Sequence, residues 1–139
     1  MTDRQVIVGD DGRAKAYRPL PQDKRIAAVT AGLEAYAAGD FFEAHELMEP
    51  AWMGTADLAE RNLIQGLIKV AAADVHAARG NPAGIRRNLE GARERLRSGV
   101  GASVSGVTLD VEALLSAIDA RLAESADLAA PIAIDWRRR

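Results

Sequence analysis

Two histidines and no cysteine stand among the 139 residues, so any metal or proton-transfer chemistry must rest on imidazole and carboxylate groups. One of the two, His45, lies in the run Gly39-Asp40-Phe41-Phe42-Glu43-Ala44-His45-Glu46-Leu47-Met48-Glu49-Pro50-Ala51-Trp52. His45 and Glu49 are four residues apart, a spacing at which helical side chains meet. At ~100° per residue, Phe41, Phe42, His45, Glu49 and Trp52 fall within about one third of the helix circumference, with Met48 at its edge. Two ionisable groups therefore sit in the middle of an aromatic face, with Glu46 to one side and Glu43 turned towards the helix start. Such a pair has two readings. It can satisfy itself as a half-buried polar contact, since an unpaired buried polar group costs ~1–3 kcal/mol. Or it can line a pocket whose low dielectric shifts its pKa values and suits it to ligand binding or proton transfer.

In the second reading the pocket is built from His45, Glu49 and Trp52, with Glu46, Gln65 and His76 as further ligand-binding residues. His45 is ligand or general base, the carboxylates bind a divalent metal or orient His45, and Trp52 closes the pocket. The metal ligands expected are His45 and Glu49. His45-Glu46-Leu47-Met48-Glu49 resembles the zinc-protease pattern with glutamate in place of its second histidine, and no third ligand is evident. A di-metal carboxylate bundle needs Glu-x-x-His on two helices, which Phe42-Glu43-Ala44-His45 does not provide. Gly99-Val100-Gly101-Ala102-Ser103 lacks the lysine ending of a phosphate loop, and no Ser-His-Asp set can be assembled. Arg61, Asn62, Gln65, Lys69 and His76 share one stripe, which reads as a solvated face unless it is turned towards His45 and Glu49. Arg86, Arg93 and Arg97 read as an outward strip.

The elements that must position these groups are helical. Ile26, Val29, Leu33 and Tyr36 recur at spacings of three and four, which predicts a helix from about Asp23 that Gly39 stops. Asp40 with Glu43 marks the start of a second helix, and Pro50 predicts a kink or stop before Trp52. Asp57 with Glu60 opens a third helix running to about Arg79, with Leu63, Ile64, Leu67, Val70, Ala71, Val75 and Ala78 inward. Asn81-Pro82 opens a fourth, with Ile85, Leu89, Ala92 and Leu96 inward. Ser98 to Gly106 reads as a mobile loop, and a fifth helix is expected from about Thr108 to Glu124. Before the helices, Val6-Ile7-Val8, Gly9-Asp10-Asp11-Gly12 and Arg13 to Tyr17 predict a short hairpin or extended arm. The organisation expected is thus an arm over 1–22, a helical domain over 23–125 and a tail over 126–139 that crosses the bundle and frays at its arginines. Ala37-Ala38-Gly39-Asp40 is echoed by Ala78-Arg79-Gly80-Asn81, as in helical hairpins of the tetratricopeptide type.

Composition agrees with an all-α class: the apolar share is rich in alanine and poor in aromatic rings. A net charge of −2 gives no basic field for nucleic acid, and the apolar stretch Leu63 to Ala73 is broken by Gln65 and Lys69, so neither nucleic acid nor membrane is an expected partner. A cytoplasmic location is the expectation.

The blocks Gly39 to Glu46 with Glu49 and Trp52, then Gln65-Gly66-Leu67-Ile68 with Ala71-Ala72-Ala73, then His76 and Arg79-Gly80-Asn81-Pro82, resemble the family catalogued as domain of unknown function 309. The resemblance covers about residues 25 to 97. It implies a small all-helical domain and makes Glu43, His45, Glu46, Glu49, Trp52, Gln65 and His76 its signature positions, without implying a reaction. Pro50 departs from it. Two functions follow as expectations: a domain that binds a small polar ligand or divalent metal, or a non-enzymatic interaction module that presents a groove to a partner helix or peptide, the His/Glu cluster being purely structural. An exposed Trp or Phe patch is the surface through which two copies of the chain would pair.

Overall fold

Helix breakers and caps divide the chain into short rods. In the computed structural model, which describes residues 6–8, 14–124 and 128–139, these are α1 Gln22–Ala37, α2 Phe41–Met53, α3 Leu58–Ala78, α4 Pro82–Ser98 and α5 Val111–Ala123. Two antiparallel strand pairs accompany them, β1 Val6–Val8 with β2 Ala14–Ala16, and β3 Val107–Leu109 with β4 Trp136–Arg138. The all-α expectation holds. The two strands of the expected hairpin pair as Val6 with Ala16 and Val8 with Ala14, while the turn between them lies outside the described residues.

The echo in sequence is an echo in structure. Gly39 and Gly80 adopt φ of 87° and 66°, conformations that cost a glycine little. After each glycine the next amide reaches back to close the helix end: Asp40 N–H donates to the Ala35 carbonyl and Asn81 N–H to that of His76, both at 2.9 Å. Asn81 then caps α4, its Oδ1 accepting from Gly84 N–H at 3.2 Å. Asp40 takes the N-cap position of α2, but its side chain makes no cap bond. Asp57 does cap α3, accepting from Glu60 N–H at 2.9 Å, yet Glu60 does not complete a reciprocal box. Its carboxylate instead accepts from Ser105 N–H at 2.9 Å and pins the loop after α4, where Val104 is buried as well. That segment was expected to be mobile.

Helix α1 packs on α2, α2 on α3, α3 on α4 and α4 on α5. Every residue from Asn62 to Ile68 of the central α3 is buried. Ala78, expected inward, is exposed at its end. A methyl group placed on Gly32 would overlap the Met48 side chain, and one on Gly66 would lie 2.6 Å from Leu96 Cγ, so the α1–α2 and α3–α4 seams depend on missing side chains. Lys69 and His76 lie along the α3–α4 seam, beside Gly91 and Gly84, and Asn62 and Gln65 are buried. The polar stripe of α3 is therefore not a solvated face. Nor do the arginines of α4 simply point outward: Arg93 Nη1 is 3.3 Å from Asp119 Oδ1, and Arg86 Nη1 donates to the Leu122 carbonyl at 3.3 Å, both on α5.

Two further expectations fail for reasons of tertiary structure. Helix α2 runs through Pro50 to Met53, because Ala51 and Trp52 are buried and hold the last turn in helical form. Helix α5 starts at Val111, capped by Asp110, because residues 107–109 are recruited into β3 by the tail. The tail does not fray. Its Leu128 and Ile132 are buried, Arg121 donates to the Ala130 and Pro131 carbonyls at 3.0 Å each, and Arg138 pairs with Glu34 on α1.

The tight α1–α2 seam yields a test. Alanine in an open helix position gains ~0.5–1 kcal/mol over glycine, but Gly32→Ala should lose about 1–3 kcal/mol in urea unfolding because Met48 must move. A gain would mean that the seam has slack.

Candidate functional site

Helix α2 carries the cluster. Its buried face is Ala44, Met48, Ala51 and Trp52, and His45 and Glu49 sit at the border of that face, each half-buried. Glu46 points further round the helix, but its longer side chain brings Oε1 to 3.4 Å from His45 Nδ1. One donor atom from each of His45, Glu46 and Glu49 lies within 4.8 Å of the others. Around a tetrahedral ion with bonds of ~2.1 Å, neighbouring ligand atoms are ~3.4 Å apart, so closure requires only modest side-chain rotation. The Glu46 side chain, 57% exposed against 25% for His45, is the one with room to make that rotation.

Beside this trio is a cleft of about 420 Å³, lined by Arg18, Pro19, Leu20, Glu46, Glu49, Pro50 and Met53. The chain that forms its far wall is fixed to the end of α2 by backbone bonds, Arg18 N–H to the Met53 carbonyl at 3.1 Å and Leu20 N–H to that of Gly54 at 3.3 Å. Gly54 admits this approach, since a Cβ there would lie 2.9 Å from the Arg18 carbonyl oxygen.

The other residues singled out from the sequence fall differently. Trp52 is only 4% exposed and packs in the hydrophobic core. Gln65 is buried on α3, and both residues have interaction partners. His76 sits at the α3–α4 joint with Nδ1 3.1 Å from the Asn81 side-chain nitrogen. Glu43 is exposed, and it lines a separate cleft at the start of α2 with Phe42 and Arg79. The aromatic face is also split: Phe41 packs tilted at 60° against Tyr36, with ring centroids 5.1 Å apart, whereas Phe42 is 61% exposed.

A second polar cluster was not anticipated. Tyr36 on α1 and Asp74 on α3 meet in the core, with Tyr36 Oη 2.5 Å from Asp74 Oδ2 and 2.6 Å from the carbonyl oxygen of Ile132 in the tail. Burial pushes the Asp74 carboxyl up from 3.8 to about 6, against the opposing pull of the Tyr36 bond and the Arg121 charge. Burial first, then the nearby carboxylate, raises the Tyr36 hydroxyl too. The hint available in sequence was an aspartate closing the apolar run from Val70 to Ala73.

With the geometry in place, comparison with known proteins adds one match. The family model described as domain of unknown function (DUF309) matches residues 29–88, which bears out the family resemblance seen in the sequence. That segment includes α2 and α3 entire and so contains the whole His45 cluster. No curated protein and no solved structure matches the chain. Among the described residues, no helix is long and apolar enough to cross a membrane.

The Asp74 environment has a pH consequence. Between 3.8 and about 6 the folded state keeps a proton that the unfolded chain has lost. The stability tied to this group is thus fully present below about pH 4 and lost as pH rises through about 6, an effect of order 3 kcal/mol. Urea unfolding of Asp74→Asn should lack that slope and show a more stable protein than the parent at about pH 8. A variant with the parent's slope would place the titrating group elsewhere.

Proposed function

We propose that this chain, matched over residues 29–88 by a domain of unknown function, binds a divalent cation between His45, Glu46 and Glu49. The observation that carries this reading is the convergence of one imidazole nitrogen and two carboxylate oxygens within 4.8 Å. An isolated polar pair would need only His45 and one glutamate. The third group adds a like charge beside the first, an arrangement that a cation relieves.

The donor set also selects among metals. Calcium favours cages made wholly of oxygen and Cu(I) favours sulfur, whereas mixed imidazole and carboxylate ligands suit Zn²⁺, Mn²⁺ or Fe²⁺. Three protein ligands leave coordination positions for water or a small polar molecule. The cleft lined by Glu46 and Glu49 supplies room for it, and Arg18 at its wall favours an anionic group there. In this reading His45 is a ligand rather than a base, Trp52 and Gln65 support the helix that carries it, and His76 stands outside the centre.

Thermal unfolding with each metal in turn tests the proposal. An ion present at about a hundred times its Kd should stabilise the fold by about 2.7 kcal/mol, and His45→Ala and Glu49→Gln should abolish that gain. The gain should also shrink as pH falls, as for any metal held by imidazole and carboxylate. A parent that no metal stabilises, paired with a His45→Ala variant that merely melts earlier, would return the trio to a structural role.

A further inference from the structure

The Tyr36 hydroxyl has one proton and two acceptors. At 2.5 Å from Asp74 Oδ2 and 2.6 Å from the Ile132 carbonyl oxygen, both contacts have hydrogen-bond length, and both lie in the core. One proton shared between two acceptors at such distances serves neither well, and a proton on the buried Asp74 carboxyl supplies the second bond. With its carboxyl protonated, Asp74 donates to Tyr36 Oη, Tyr36 donates to the Ile132 carbonyl, and each group in the relay is satisfied. When Asp74 gives up its proton to solvent, the carboxylate becomes the stronger acceptor and draws the Tyr36 proton to itself. The Ile132 carbonyl then loses its donor. We propose that Tyr36, Asp74 and the Ile132 carbonyl form a proton-operated latch that seats the C-terminal segment on α1 and loosens it when Asp74 ionises.

Among the described residues, Tyr36 from α1 and Arg121 from α5 are the titratable or charged groups that act on Asp74. Arg121 favours the ionised state, and it also donates to the Ala130 and Pro131 carbonyls, which anchors the tail on the near side of Ile132. The loosening therefore begins at Ile132 and extends through β4. Between the seated tail and α1 lies a cleft of about 530 Å³ in which Leu33, Tyr36 and Phe41 face Ile132, Ile134 and Trp136, and loosening widens it. Acidification holds this cleft at its present width and neutral pH widens it, independently of whether the His45 cluster holds a metal.

Amide hydrogen exchange reads the latch directly. Asp110 N–H donates to the Asp135 carbonyl and Arg139 N–H to that of Gly106, each at 3.1 Å, so both amides depend on a seated tail. If Asp74 regains its ordinary pKa in the loosened state, their protection, corrected for intrinsic exchange, should fall about tenfold relative to α3 amides between about pH 5 and about pH 8. Asp74→Asn keeps a donor to Tyr36 at every pH and should hold the protection constant. Tyr36→Phe should show the loose tail at both pH values while α3 stays protected. Glu34→Gln serves as a control on the Arg138 ion pair and should retain the parent's pH dependence. The latch is refuted by parent protection that tracks α3 at both pH values, or by a pH-dependent loss that survives in Asp74→Asn or Tyr36→Phe.

Discussion

The burial of Trp52 is the constraint on which the candidate site depends. Pro50 removes the amide that would donate to the Glu46 carbonyl and disfavours a helix by ~3 kcal/mol. Loss of a buried aromatic side chain costs ~3–5 kcal/mol, so keeping Trp52 at 4% exposure is enough to hold the final turn helical. Two results follow from that turn. His45, Glu46 and Glu49 stay on one unbroken helix, and the carbonyls of Met53 and Gly54 are left in position to receive the chain from Arg18 to Leu20. The cleft beside the cluster is made by that second contact.

Solvent access divides the two polar clusters by chemistry. His45 and Glu49 are half-buried and Glu46 is exposed, so a cation held among them keeps part of its hydration and costs less to desolvate than one in the core. Asp74 is 6% exposed, so its cheapest response to burial is to hold a proton. Carboxylates thus serve opposite ends in the same small fold. The first cluster lies on one helix and survives local rearrangement; the second joins α1, α3 and the tail, and exists only when all three are assembled.

Features set by neighbouring residues were the legible ones. Asn81-Pro82, the two glycine joints and the apolar spacing of α1 act within one or two turns, and their outcome in the fold is as read from the sequence. The grouping of His45 with Glu49 is of this kind, since spacing alone sets it. Where remote contacts decide, local rules failed. Pro50 did not stop α2 because Trp52 found a buried place; Thr108 did not enter α5 because Arg137 pairs with it; Glu60 did not close a capping box because Ser105 claimed its carboxylate. Tyr36 looked like one more core residue, and its role needed Asp74, 38 residues away.

Of the two imidazoles, His45 and not His76 is the one proposed to bind the cation. With only two histidines in the chain, the ring nitrogens of both can be followed by long-range ¹H–¹⁵N spectra during a Zn²⁺ titration. The His45 ring signals should shift or broaden first, and His76, held against Asn81, should keep its signals until well beyond that point. Unchanged His45 resonances at saturating metal, or a response confined to His76, would contradict this assignment.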